Sequence, residues 1–271
     1  MTAADFDYVR RLVRDRSGIV LEEGKEYLVD ARLTPVARQC DLGSVSDLIG
    51  RLRAGPDAGL ATRVVEAMVT TETSFFRDLH PFQTLRATVL PDLIRRRRDE
   101  RRLAVWFAAC ATGQEPYSFA LLAREHFPEL IGWRLDLLAT DLSAEALARA
   151  RAGVFTQLEV NRGLPAALLV RYFRQHGATW ELTEGIRRMV EFRELNLTRP
   201  WPVLPRMDLV FLRNVMIYFD VDTKKTILAR AARVLRPDGY LLLGGAETTL
   251  NLNESIRRVE QLKGGFYQLV A

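Results

Sequence analysis

Leu103-Ala-Val-Trp-Phe-Ala-Ala-Cys-Ala-Thr-Gly-Gln-Glu-Pro-Tyr-Ser118 runs from an apolar stretch through a single glycine into Pro116. Leu103–Cys110 suits a short, fully buried strand, and Pro116 opens a helix that reaches about His126. Between a strand and its helix, a ligand of nucleotide type touches exposed backbone N–H groups. Gly113 allows close approach, although the spacing is not Gly-x-Gly-x-x-Gly. Glu115 repels a pyrophosphate and suits a cationic or amino-bearing ligand.

Toward the C-terminus, Arg134–Thr140 reads as a second strand that Asp141 ends, and Ser143 caps a helix that Gly153 closes. An acid at the end of that strand can accept hydrogen bonds from both ribose hydroxyls of a nucleoside. The plainer alternatives are that Asp141 caps the next helix with Ser143 and that Glu115 is an ordinary helix-start acid. As ligand contacts, the two acids favour an adenosine without phosphates, a description that S-adenosylmethionine meets. Residues 154–195 are less regular, with a helix from Pro165 and candidate strands at Thr179–Leu182 and Ile186–Phe192. Met207–Arg213 is the next strand, Asp222 caps a helix to about Leu235, and Pro237-Asp-Gly239 turns into strand Tyr240-Leu-Leu-Leu-Gly. Gly265-Phe-Tyr-Gln-Leu-Val is the last. Such alternation predicts an α/β fold with a parallel doubly wound sheet, whose ligands sit beyond the carboxyl ends of the strands.

Toward the N-terminus the texture is helical. Phe6, Val9, Leu12 and Val13 recur at helical spacing, as do Leu28, Leu33 and Val36. Turn signals at Gly18, Gly24, Gly43-Ser44 and Gly55-Pro56 divide residues 1–80 into about four short helices, followed by a linker helix near 81–101. The domain from 102 to 271 carries the alternating strands.

The 271 residues are 48% hydrophobic and 27% charged, which excludes disordered and fibrous classes. No apolar run reaches the roughly 18 residues of a membrane span, and the start lacks a secretory pattern, so a cytoplasmic protein with no membrane insertion is expected. Cys40 and Cys110 are too few and too separated for a disulfide framework, and His80, His126 and His176 stand alone, so no metal is expected. Of the 39 basic residues only Lys25, Lys224, Lys225 and Lys263 are lysines, yet acidic residues are interspersed throughout. The net charge of +5 therefore does not mark a dedicated nucleic-acid binder.

Two further segments stand out. Thr70-Thr-Glu-Thr73-Ser-Phe-Phe-Arg77-Asp sets hydroxyls beside two aromatics and an arginine, and Phe211-Leu-Arg-Asn214-Val-Met-Ile-Tyr218-Phe-Asp follows a buried strand. Asn214 there stands where substrate and cofactor meet, and Tyr218 offers one donor on a rigid arm. With Ala109-Cys-Ala-Thr-Gly-Gln-Glu-Pro-Tyr-Ser118, Ala139-Thr-Asp141, Asn196-Leu197 and Leu235-Arg-Pro-Asp-Gly239, these segments resemble, in order and over essentially the whole chain, the chemotaxis receptor glutamate methyltransferases called CheR.

The resemblance implies a Rossmann-like class I S-adenosylmethionine-dependent methyltransferase domain, an N-terminal helical domain, and a small inserted antiparallel β subdomain, at about 176–193 here. It implies cofactor contacts at Thr71, Thr73, Arg77, Glu115, Asp141, Asn196, Leu197, Asn214 and Val215, and places Arg77 and Tyr218 beside the transferred methyl. The expected products are a glutamate methyl ester on the cytoplasmic domain of a methyl-accepting chemoreceptor and S-adenosylhomocysteine. Thr71 departs from the frequent Asn of the relatives. The loop His176-Gly-Ala-Thr is short, so tethering through a receptor's C-terminal pentapeptide is not expected.

The glutamate substrate is ionised at neutral pH and needs no general base, which suits motifs with no His/Asp pair. Clustered glutamates on receptor helices call for arginines, and Arg10, Arg14, Arg32 and Arg38 are the candidates. Two rivals are a nucleic-acid methyltransferase, which the absence of a proline-rich N/D-PPY pattern disfavours, and a cofactor-sensing module without transfer activity.

Overall fold

The computed structural model describes residues 1–55 and 57–270, which divide into two compact units: Met1–Thr70 with Tyr218–Thr223, and Thr71–Ile217 with Lys224 onward. The first unit holds the four expected helices, α1 (Ala3–Ser17), α2 (Glu26–Gln39), α3 (Val45–Ala54) and α4 (Ala58–Met68). Thr2 and Asp5 form a reciprocal capping box at the start of α1, and Gly18, at φ 75°, ends it in the left-handed region. Ser44 and Asp57 cap α3 and α4. Phe6, Val9, Val13, Leu33, Leu48, Ile49 and Val64 form the shared core. Of the Gly55-Pro56 turn signal, Pro56 lies outside the described residues.

This unit was expected to reach residue 80, but it ends at Thr70 and takes in Tyr218–Thr223, where Ile19 bridges Phe219 and the Val20 N–H donates to the Tyr218 carbonyl at 2.9 Å. Residues beyond Thr70 belong elsewhere for a packing reason. Phe75 is fully buried in the second unit's core, edge-on to Phe155 and Phe173.

The second unit opens with α5 (His80–Thr84), a π turn at Leu85–Val89 and α6 (Leu90–Arg96), which together form the linker helix. The π turn precedes Pro91, whose missing N–H prevents a regular ladder there. There follow β1 (Arg102–Ala108), α7 (Gln114–His126), β2 (Arg134–Asp141), α8 (Ala144–Ala152), β3 (Val154–Thr156), α9 (Gln157–Asn161), α10 (Ala166–Tyr172), β4 (Phe173–His176), β5 (Thr179–Leu182), α11 (Glu184–Arg187), β6 (Val190–Glu194), β7 (Met207–Leu212), α12 (Val221–Val234, of which Val221–Thr223 count with the first unit), β8 (Leu235–Leu243), β9 (Ile256–Arg258) and β10 (Phe266–Leu269). The main sheet has the order β6-β2-β1-β7-β8-β10-β9, and a three-stranded sheet has the order β3-β5-β4. Hydrophobic side chains from both faces of β1 and β7 are buried, as a central parallel strand requires.

Four expectations need correction. The main sheet is mixed rather than wholly parallel, because β10 runs antiparallel to both β8 and β9. The inserted antiparallel sheet spans 154–182 instead of 176–193: residues 190–194 pair in parallel with β2. Val190 and Phe192 are buried and Glu191 and Arg193 exposed, the alternation of an edge strand, which does not itself say which sheet the strand joins. Pro237-Asp-Gly239 lies inside β8 as an irregularity in its pairing with β7, and not as a turn before it. Asp220, not Asp222, accepts the N–H of Thr223 at the start of α12.

At the end of the sheet away from the strand C-termini, Arg97 anchors the linker helix. Its guanidinium bonds Asp208 and, through two nitrogens, Asp238, while Asp208 also accepts the Ala104 N–H at 2.8 Å.

Candidate active site

The carboxyl ends of β1, β2, β6 and β7 bring one set of predicted residues together in the second unit. After β1 the backbone turns sharply, with Ala109, Ala111 and Gly113 all at positive φ (58°, 49° and 90°). Non-glycine residues rarely adopt this region, and such strain concentrates at binding sites. A side chain at Gly113 would stand 2.9 Å from the Ala150 Cβ, so glycine there serves the turn and the packing of α8 alike. Asp141 closes the turn. One carboxylate oxygen accepts the Ala111 N–H at 2.8 Å and the other the Ser143 N–H at 3.0 Å. Ser143 in turn caps α8 through the Ala146 N–H. Asp141 thus has the structural role of the plainer reading.

Glu115 stands in the first turn of α7. It forms a buried ion pair with Arg213 at the end of β7. Burial pushes the Glu115 carboxyl up, and the Arg213 charge opposes that rise. Arg213 also donates to Asp78 at 2.7 Å and to the Arg77 carbonyl at 3.3 Å, while its Nε is buried with no partner in the structure. The Phe76 N–H donates to Ser118 Oγ at 2.8 Å, so the segment that carries Arg77 is tied to α7. Phe76 and Asp78, on either side of Arg77, both have positive φ. Thr71 and Thr73 are half-buried a few residues upstream.

Asn196 and Leu197 follow β6, and the preceding Leu195 N–H donates to the Asp141 carbonyl at 2.9 Å. Asn214, at φ 58°, and Val215 follow β7, and their N–H groups donate to the carboxylate of Glu247. Neither Arg213 nor Glu247 was assigned a role from the sequence. Arg213 stood inside a quoted motif, but its partners lie far away in the chain; Glu247 stood in the tail beyond the β8 strand, outside every motif. Cys110 is buried, and desolvation with the Asp141 charge pushes its thiol well up.

The remaining predicted residues belong to the first unit. Tyr218 closes the 3-10 turn Met216–Tyr218 and is half-buried. Arg10 donates to the Leu21 carbonyl at 2.9 Å, Arg14 pairs with Asp220 at 2.9 Å, and Arg38 is exposed. Arg10 and Arg14 line one shallow groove of ≈ 390 Å³ with Arg11, Val20 and Leu21. Arg32 is a correction: its guanidinium donates to the Met68 carbonyl at 2.6 Å and to Thr70 Oγ1 at 3.1 Å, completing the C-terminus of α4 instead of facing a substrate.

A strained turn between β1 and its helix stands beside an acceptor, Asp141, at the end of β2, while the acid in the first turn of α7, Glu115, is paired with Arg213. The fold and site together define a Rossmann-like, S-adenosylmethionine-dependent methyltransferase. Residues 71–264 match the family model described as CheR methyltransferase, SAM binding domain, and residues 4–69 match CheR methyltransferase, all-alpha domain. The chain belongs to the CheR methyltransferase family. It is 40% identical over 269 residues to chemotaxis protein methyltransferase 1 of Pseudomonas aeruginosa, covering 98% of this chain and 97% of the relative. It is 39% identical over 268 residues to chemotaxis protein methyltransferase Cher2 of Pseudomonas putida, covering 97% of each.

Proposed function

We propose that this methyltransferase esterifies glutamate side chains on the cytoplasmic helices of a methyl-accepting chemoreceptor, without a tethering pentapeptide. The carrying observation is the coupling of Asp141 to the turn after β1, which readies one acid and a row of backbone groups for a nucleoside. Bound S-adenosylmethionine supplies an electrophilic methyl group on a cationic sulfur. Asp141 is assigned to the ribose hydroxyls, Glu115 to the amino group of the cofactor, and Thr71, Thr73, Gly113, Asn196, Leu197, Asn214 and Val215 to its remaining contacts. Tyr218 hydrogen-bonds the attacking carboxylate, and Arg77 orients that carboxylate or the carboxylate of the cofactor. Because the substrate glutamate is already ionised, the protein's task is alignment, which can contribute roughly 7–11 kcal/mol. Arg10, Arg14 and Arg38 attract the acidic helix.

The two-residue turn Gly177–Ala178 between β4 and β5 supports the absence of a tether, since it leaves no long loop there. The test uses methyl-labelled cofactor and receptor cytoplasmic fragments with and without their C-terminal tails, scoring methanol released by alkali. Equal ester formation on both fragments is expected, and Tyr218→Phe should lower kcat with cofactor binding intact. Ester formation only on the tailed fragment overturns the untethered reading, and an unchanged kcat in Tyr218→Phe removes the role of its hydroxyl.

A further inference from the structure

Three consecutive backbone N–H groups after β7 converge on one side chain. Glu247 Oε2 accepts the Asn214 N–H at 2.8 Å, and Oε1 accepts those of Val215 at 3.0 Å and Met216 at 2.7 Å. A fourth, from Gly244 at the end of β8, reaches Oε2 at 2.7 Å. Successive N–H groups that follow a left-handed residue form a concave nest that binds anions. Asn214 is that left-handed residue, and the anion belongs to the protein itself. Gly244 makes room for it: a Cβ there would stand 2.7 Å from Glu247 Oε2 and 2.9 Å from the Asn214 nitrogen. Glu247 is buried, and these four donors take the place of water around its carboxylate.

We infer that Glu247 is a positioning residue for methyl transfer, an internal anion that sets the backbone of residues 214–216 and so the cofactor-facing Asn214 and Val215 and the start of the turn leading to Tyr218. This deepens the methyl-transfer reading above and rests on it. A buried carboxylate joining two strand ends holds the turn in shape before any ligand arrives, and such preorganisation favours the transition state over the free substrates. Glutamine cannot replace it, because its amide nitrogen turns a donor toward N–H donors.

The test compares Glu247→Gln and Gly244→Ala with wild type in the full chain. Calorimetry gives the Kd for S-adenosylhomocysteine, labelled transfer to a receptor fragment gives kcat and KM, and circular dichroism gives Tm. For both variants a Kd raised at least fivefold and a kcat lowered at least tenfold are expected, with the KM for the fragment within twofold of wild type. A lowered Tm with kcat and Kd within twofold of wild type overturns the proposal, leaving Glu247 a purely structural residue. If neither variant folds, hydrogen exchange in wild type decides. Slow exchange shared by the amides of 214, 215 and 216 is expected, and exchange at the rate of an unfolded chain overturns the inference. A wild-type protein that binds S-adenosylhomocysteine yet esterifies no fragment defeats the substrate reading, while the Kd comparison still judges Glu247.

Discussion

Asp141 divides its two oxygens between the turn after β1 and the cap of α8, so its charge organises the backbone whether or not a ligand is near. Asp141→Asn retains the shape but places an amide donor against one of two N–H groups. We expect the variant to bind S-adenosylhomocysteine at least tenfold more weakly, a loss of about 1.4 kcal/mol or more. Calorimetry within twofold of wild type would remove Asp141 from the cofactor contacts. The acids were legible in the sequence because each sits at a fixed offset from a recognisable strand. The ion pair that neutralises Glu115 was not, since Arg213 lies 98 residues away and only the neighbouring positions of β1 and β7 in the sheet bring the two together. Arg32 misled for a related reason: exposed and internally bonded arginines look alike in a helical repeat.

Among the elements, the end of the linker helix carries the buried Arg97–Asp208 pair. Removing one partner leaves an uncompensated charge, so Asp208→Asn is expected to destabilise the protein by about 3–5 kcal/mol in urea unfolding. A loss below 1 kcal/mol would show the pair to be dispensable. Asp238, on the same guanidinium, has its carboxyl held below the ordinary value of 3.8 by the Arg97 hydrogen bond. A lowered carboxylate contributes stability that is present above its unfolded value and lost as pH falls through the lower folded value. Unfolding midpoints in wild type should therefore drop as pH falls below about 4, and the drop should be smaller in Asp238→Asn. A slope equal to wild type would contradict this. Elements with strong apolar runs, β1, β7 and β8, were readable directly. β9 was missed because Ile256-Arg-Arg258 holds one apolar residue, and β6 was misassigned because alternation fits an edge strand of either sheet.

At the scale of the molecule, each unit has its own hydrophobic core, one built on Val9, Leu33 and Ile49, the other on Phe75, Phe107 and Phe211. All the proposed cofactor contacts lie in the second unit. Ligand that binds only the folded state at 100 times its Kd stabilises by about 2.7 kcal/mol. Scanning calorimetry is expected to show two transitions, with S-adenosylhomocysteine raising one by roughly 5–10 °C and leaving the other in place. A parallel rise of both would mean that the units melt as one. The two-domain plan was evident from the change in texture near residue 100, while its boundary followed the burial of Phe75, which hydrophobic spacing does not reveal.

The reverse turn at Gly177–Ala178 opens a practical route. Both residues face solvent, and a Cβ on Gly177 would meet nothing within 4 Å. Exposed tips of this kind accept extra residues readily. A longer segment spliced there would leave the catalytic half undisturbed, making this hairpin the natural socket for transplanting recognition loops and redirecting the enzyme to a chosen target.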